Sequence, residues 1–419
     1  MFITHGPVAP DSPLFVGRTQ ELAQMEQWFH QVRFVGAVLG ARQTGKTSLL
    51  LKTRQQNQAK YQFVFIDLEA IFGANEQECF TFIAEETLEQ LGRTTADIET
   101  DLPHNSRSFL VFLRALSRAV QSVRIVLLLD EVGALPLNTA IKLAHSIRSA
   151  FTSRHVRPEY QRFVFVLAGA ADMLALTSGV SSPLKNVTDS IYLRDFSLAE
   201  TQTLVANGFA QSDINLPESP AAWIYEWTNG HPFLTQLLAA QLLPLTEPPT
   251  AQTVDKIVEQ FRQTEDRNLP HLFRALAVDN LPLWGVIDAI LHDEAPPFSR
   301  SNNLVAELEL IGVVRNENGR CRLRNRLYAE AIRHHRISSD ALPQPINPDR
   351  LRQILIDYFS VEDLRDLCFT LGVDFDSLPT QGKAGQAREL VIHLHNRGQL
   401  DALIALCRQL RPHLFDQPE

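Results

Sequence analysis

Along the first two-thirds of the chain, short apolar runs alternate with helix-length stretches in which apolar residues recur every three or four positions. Five runs, 34–39, 63–68, 124–129, 163–168 and 190–193, read as strands. Each is rich in Val, Ile, Leu or Phe and lacks the alternation of a half-exposed strand, which predicts a sheet covered on both faces. The spacers 47–58, 77–91 and 106–120 carry helical periodicity, so the pattern predicts a parallel sheet flanked by helices.

From 197 to 263 the spacing is helical throughout, with breaks at Leu216-Pro217, Gly230-His231-Pro232 and Glu247-Pro248-Pro249. Residues 268–336 predict helices followed by a hairpin, with strands Ile311-Gly312-Val313-Val314 and Cys321-Arg322-Leu323 joined by Asn316-Glu317-Asn318-Gly319. Helices plus a two-stranded hairpin predict a winged helix. The proline-bearing stretch 338–348 reads as a linker. Beyond it, four amphipathic helices are expected over 349–359, 361–371, 384–396 and 399–410. Ser360 with Asp363 forms a capping-box pattern, and Gly372 and Gly398 stand where helices should stop. The expected domains are therefore 1–196, 197–265, 266–337, a linker over 338–348, and 349–419.

Composition narrows the class. With 45% hydrophobic and 21% charged residues the chain is globular, and Lys+Arg 39 against Asp+Glu 48 gives a net charge of -9, which argues against bulk attraction to polyanions. The four cysteines, Cys79, Cys321, Cys368 and Cys407, have neither zinc-ligand nor redox spacing. No apolar run approaches the roughly 18 residues that span a bilayer, and the first residues lack a secretion signal. A soluble, cytoplasmic protein with no membrane partner is expected.

Gly40-Ala41-Arg42-Gln43-Thr44-Gly45-Lys46-Thr47, followed by Ser48, fits G-x-x-x-x-G-K-[ST] between a predicted strand and a predicted helix. Glycines let the backbone curl so that successive N–H groups and the helix N-terminus face phosphates; Lys46 neutralises charge and the Thr47 hydroxyl suits Mg2+. The run Ile125-Val126-Leu127-Leu128-Leu129-Asp130-Glu131 ends a strand in two carboxylates. Asp130 is placed to hold Mg2+ and Glu131 to polarise a water. Together they predict binding of ATP or GTP, with hydrolysis; no guanine-specificity motif is present.

Phe15-Val16-Gly17-Arg18 with Glu21-Leu22 resembles the F-x-G-R-x-x-E-L segment of AAA-like and STAND (signal transduction ATPases with numerous domains) proteins. The resemblance implies ATP as the nucleotide and Phe15, Val16 and Arg18 as base or ribose contacts. Thr228-Asn229-Gly230-His231-Pro232-Phe233-Leu234 is similar to the lid segment of these ATPases, which implies Pro232 as a further contact; a plain helix start at His231-Pro232 is the competing reading. One departure concerns 163–172, where many relatives carry a polar sensor residue: here the strand ends Ala168-Gly169-Ala170-Ala171, with Asp172 nearby. That departure goes with slow turnover and a switch rather than a motor. An arginine finger at Arg154 or Arg157 is implied by the same resemblance, against ordinary cations at a helix end.

Arg315, Arg320, Arg322, Arg324 and Arg326 cluster around the predicted hairpin, and two uses compete, phosphate contact with nucleic acid and a solvated or intramolecular role, the second being the default. The tail over 347–412 resembles the helical effector-associated, death-like domains of bacterial conflict systems, which implies recruitment of an effector. The leading reading is a signalling ATPase that self-associates with ATP and recruits an effector in bacterial defence or cell death. A nucleic-acid-associated AAA-like ATPase and a nucleotide-binding scaffold without turnover are the alternatives.

Overall fold

The structure is a computed structural model, described for residues 2–30, 35–120, 124–178, 182–210, 220–245, 248–264, 268–276, 280–341, 348–375, 378, 382–396 and 400–411. The expected break at Leu216-Pro217, part of that at Glu247, and the stop at Gly398 lie outside the described residues. The chain divides into two compact units, Met1–Ala331 and Ile332–Glu419.

The first unit opens with α1 (Thr19–His30), β1 (Val35–Leu39), α2 (Lys46–Asn57), β2 (Gln62–Asp67), α3 (Glu76–Gln90), the short α4 (Thr95–Ile98), α5 (Ser106–Ala119) and β3 (Ile125–Asp130). It continues through α6 (Leu137–Ser153), β4 (Phe163–Gly169), α7 (Met173–Thr177) and β5 (Thr188–Tyr192). All five strands run parallel in the order β2-β3-β4-β1-β5. Each expected strand is present to within two residues.

The period-2 geometry of a strand explains why these sequences are apolar throughout. Ile125, Leu127 and Leu129 of β3 face a core with Phe80, Phe109 and Phe112 from α3 and α5. Val126 and Leu128 face the opposite core, with Met25, Trp28 and Phe29 of α1 and Leu49 of α2. Both faces are covered. Inserting β4 between β1 and β3 places the phosphate loop after β1 and the Asp130-Glu131 pair after β3 at the same, C-terminal edge of the sheet, where α/β folds bind ligands.

Four helices follow, α8 (Leu198–Phe209), α9 (Pro220–Thr228), α10 (Pro232–Leu242) and α11 (Ala251–Thr264). His231 caps α10 and Pro232 takes its first position, so the helix-start reading of this pair holds alongside any role in a site. Next come α12 (Asn268–Ala275), α13 (Leu281–Leu291), α14 (Asn303–Ile311), β6 (Val314–Glu317), β7 (Arg320–Leu323) and α15 (Arg326–Ala341).

The hairpin is present, but its first strand differs from the expected 311–314. Ile311 ends α14 and Gly312, at φ 98°, terminates that helix, so the strand begins at Val314. Asn318 and Gly319, at φ 52° and 81°, form the two-residue turn. Of the expected linker 338–348, α15 carries 338–341 as helix and α16 begins at Pro348, while 342–347 lie outside the described residues.

The second unit holds the end of α15, then α16 (Pro348–Tyr358), α17 (Val361–Thr370), α18 (Lys383–Asn396) and α19 (Leu400–Leu410). Ser360 and Asp363 make the expected reciprocal capping box. Leu351, Leu355, Leu364, Leu390 and Leu403 fill a common core.

Gly36 lies under the Trp28 ring, so a Cβ there would stand 2.3 Å from a ring carbon. Trp28 is held in place by its indole N–H, which donates to Asp189 at 2.8 Å. Gly36→Ala is expected to destabilise the unit by about 1–3 kcal/mol, read as a lowered midpoint in thermal denaturation. An unchanged midpoint would mean that the indole withdraws freely.

Candidate functional site

The loop between β1 and α2 is turned outward by Gln43 and Gly45, at φ 63° and 92°. Lys46 begins α2 yet is only 4% exposed, and its Nζ donates to the Gly40 and Ala41 carbonyl oxygens at 3.3 and 3.2 Å. Burial pushes this ammonium below its ordinary pKa, while Glu131 and Asp130 act to raise it. A desolvated cation that donates to two carbonyls at the edge of a cavity suits an anion.

Asp130 is 2% exposed at the end of β3. Burial pushes its carboxyl up to about 6, against a hydrogen bond from Thr47 that favours the charged form. That hydroxyl–carboxylate pair is a set of hard oxygen donors, which fits Mg2+ completed by phosphate and water. Glu131 follows in the left-handed region at φ 49°, a strained conformation for a side-chain-bearing residue and one found at active sites. Its N–H donates to Asp130 Oδ1 at 3.1 Å, and its side chain borders the cavity that receives Lys46.

That cavity has a volume of about 400 Å3. Of the residues expected from sequence, Phe15, Val16, Arg18, Arg42, Gln43, Thr44, Gly45, Lys46, Thr47, Ser48, Glu131 and Pro232 line it. Gly40 and Ala41 border a neighbouring cavity instead.

Arg18 and Ser48 among these are committed to protein partners. Arg18, 3% exposed, donates to the Thr44 carbonyl at 3.0 Å, to the Arg194 carbonyl at 2.7 Å and to Glu21 at 3.3 Å, so its guanidinium props the phosphate loop. Ser48 Oγ accepts the Val8 N–H at 2.9 Å. Sequence reasoning missed the cavity residues Ile3, Thr4, His5, Pro7, Val8, Phe196 and Gln236, which have neither motif nor periodicity.

It also missed a buried polar junction beside the loop. Arg324, after β7, makes a two-pronged ion pair with Asp195 at 2.9 and 2.6 Å. Burial acts to raise Asp195 and lower Arg324, and their attraction outweighs it: the carboxyl lies below its ordinary pKa and the guanidinium above. Alongside, His231 Nδ1 accepts the Leu234 N–H and its Nε2 meets the Tyr328 hydroxyl at 3.3 Å. Gly312 packs so closely on the phosphate loop that a Cβ there would lie 2.7 Å from the Ala41 Cβ, and Asn268 donates to Gln43 at 2.6 Å.

The other arginines of the hairpin region are largely paired within the chain. Arg315 bonds Glu317, Arg322 bonds Asp293 at 3.1 Å, and Arg326 bonds Glu226 and Glu330, each at 3.1 Å. Of the two finger candidates, Arg154 lies over the Phe151 ring at 3.6 Å and donates to its carbonyl at 2.6 Å, whereas Arg157 is exposed.

Residues 3–334 match the family described as AAA-like domain. The chain belongs to this AAA-like family. Residues 351–412 match effector-associated domain 7, so an effector-associated domain follows the AAA-like one. A Walker-type ATPase of Pyrococcus abyssi is similar over 76% of this chain and 96% of its own, at 14% identity and a TM-score of 0.55. The ORC2 protein of Aeropyrum pernix is similar over 81% of this chain and 98% of its own, at 12% identity and a TM-score of 0.46. An uncharacterised WD repeat-containing protein of Synechocystis sp. is 29% identical over 226 residues, 49% of this chain. This chain spans only 19% of that relative's length. The first structure supports the P-loop ATPase fold of the AAA-like domain; no helix among the described residues is long and apolar enough to cross a membrane.

Removing one partner of the buried pair leaves the other charge unpaired in the AAA-like core. Asp195→Ala is therefore expected to cost about 3–5 kcal/mol, measured by urea unfolding. Asp195→Leu combined with Arg324→Met should recover most of that loss, which a simple packing defect would not.

Burial holds the His231 imidazole down to about 3, so between the ordinary 6.5 and about 3 the unfolded chain takes a proton that the folded chain refuses. Stability from this residue is present above that window and is lost as pH falls through it. His231→Asn keeps a capping side chain without the titrating ring, and its melting temperature should fall less than wild type between pH values of about 7 and 5. Parallel losses in both proteins would show that the folded state protonates this ring freely.

Proposed function

We propose that the chain is an ATP-binding and ATP-hydrolysing switch whose nucleotide state governs self-association and recruitment of an effector through residues 349–412, in bacterial defence or cell-death signalling. The observation that carries the reading is the convergence of Lys46, Thr47 and Glu131 on one cavity, with Asp130 bonded to Thr47 behind them. Lys46 and the loop N–H groups bind the β- and γ-phosphates. Thr47 and Asp130 hold Mg2+, which neutralises phosphate charge when bound. Glu131 orients the attacking water and accepts its proton. Pro232 and Phe233 bring the helical lid to the same cavity, so lid position and nucleotide occupancy are linked.

The cell-biological setting rests on the effector-associated match at 351–412 and is an analogy rather than a consequence of geometry. The nucleic-acid reading gains less support, because Arg315, Arg322, Arg324 and Arg326 already have acidic partners. For the same reason we assign these arginines to internal pairing.

Glu131→Gln separates binding from turnover. It is expected to lower ATP hydrolysis by roughly 100- to 10,000-fold while keeping ATP affinity, and light scattering after gel filtration should show a defined larger species with ATP and not with ADP. Hydrolysis unchanged in the variant would remove Glu131 from the reaction. A single mass with both nucleotides would sink self-association as the direct output of ATP binding.

A further inference from the structure

β2 stands at one end of the five-stranded sheet and, among the described residues, pairs with β3 alone. The Gln62 N–H donates to the Arg124 carbonyl, so the peptides of residues 62, 64 and 66 face β3 and those of 63, 65 and 67 face outward. Outward peptides of this kind are a template for another strand. The middle one is already taken. Gln90, the last residue of α3, places its Oε1 to accept the Phe65 N–H at 2.9 Å, and its Nε2 donates to the Phe65 carbonyl at 2.6 Å. Nε2 also donates to Glu86 Oε2 at 3.1 Å, one turn earlier on the same helix, which fixes the way the carboxamide points.

We infer that Gln90 is an edge guard, a side chain that stands where a neighbouring strand would lie and keeps β2 from pairing with β2 of a second copy of this chain. A carboxamide carries a donor and an acceptor, as a peptide does, so it returns to Phe65 the two bonds that strand pairing would supply. Symmetry selects the competing strand. In an antiparallel pair two opposed residues exchange both bonds, so a two-fold contact centred on Phe65 would give each Phe65 peptide the same pair of bonds it now makes with Gln90. That contact would also set the two half-buried Phe65 rings opposite one another, a favourable aromatic pair across strands. The guard makes its bonds within one chain, without the loss of freedom that association costs. Neither Gln90 nor Phe65 lines the cavity that receives Lys46, so the inference stands apart from the ATP reading.

The test uses the full chain without nucleotide, by light scattering after gel filtration at rising protein concentration. Gln90→Leu keeps the bulk of the side chain and removes both bonds, and it is expected to pass to twice the wild-type mass as concentration rises. Gln90→Lys cannot accept the Phe65 N–H either, but it puts a charge on the edge that opposes pairing, and it is expected to keep the wild-type mass. A Gln90→Leu protein that keeps the wild-type mass at every concentration overturns the guard. Equal association of Gln90→Leu and Gln90→Lys also overturns it, since a loosened fold rather than an opened edge would then be the cause. Hydrogen exchange reads the contact itself: the Phe65 amide of the wild type is expected to exchange at least roughly tenfold more slowly than that of Gln90→Lys. Equal rates in the two proteins overturn the assignment.

Discussion

A phosphate loop cannot hold itself open. Its N–H groups point outward to meet an anion, its lysine is buried against its own carbonyls, and like partial charges crowd a few peptide units. The curl must be braced from outside, and here much of the first unit contributes a brace. Arg18 grips Thr44, the Gly40 N–H donates to the Gly169 carbonyl of β4 at 3.3 Å, Asn268 bonds Gln43, and Gly312 abuts Ala41. These contacts come from segments far apart in sequence. The loop's shape therefore reports on the packing of the sheet, of α12 and of the hairpin region together.

The junction at Asp195 carries that dependence furthest. Asp195 follows β5, Arg324 follows the hairpin, and His231 caps α10, so three parts of the unit meet at one buried polar cluster. Burying an ion pair is a poor way to gain stability, since desolvation offsets most of the attraction. It is a strong way to fix an arrangement, because separating the partners without solvating both is costly. Arg324 also lies close enough to Lys46 to lower its pKa, so the junction and the phosphate loop share an electrostatic environment. An anion on Lys46 would favour both cations, which couples ligand charge to the packing of the hairpin region.

What was legible in the sequence was whatever has a short range. Strands buried on both faces are apolar throughout, and the loop from Gly40 to Thr47 states its own geometry. Ile311-Gly312 misled because an apolar residue before a glycine reads equally as strand or helix end, and only the left-handed φ of Gly312 decides it. Arg18 and Ser48 were found at the site but their partners were not: a guanidinium that props Thr44 looks the same in sequence as one that faces a ribose. Residues 2–8 left no local signal, and the arginine cluster that holds Arg324 gave no sign of its partner Asp195. Their partners lie 129 positions away for Arg324 and 233 for Ile3, and no periodicity spans such distances.

The same logic bears on the second unit. Amphipathic helices there could have served a partner or merely one another, and the core answers for most of them: Leu351, Leu355, Leu364, Leu367, Leu390 and Leu394 are all spent inside. Recruitment proposed for this unit therefore falls to outward groups. Phe369 of α17 is the most exposed of the large apolar side chains described there, at 88%, and Glu362, Arg365 and Asp366 share its helix face. A core would gain from turning that ring inward, since burying an aromatic side chain is worth about 1.5–3 kcal/mol. The opposite face of α17, with Leu364, Leu367 and Cys368, already fills the core of this unit, so the Phe369 ring stands outside it, as single apolar side chains commonly do.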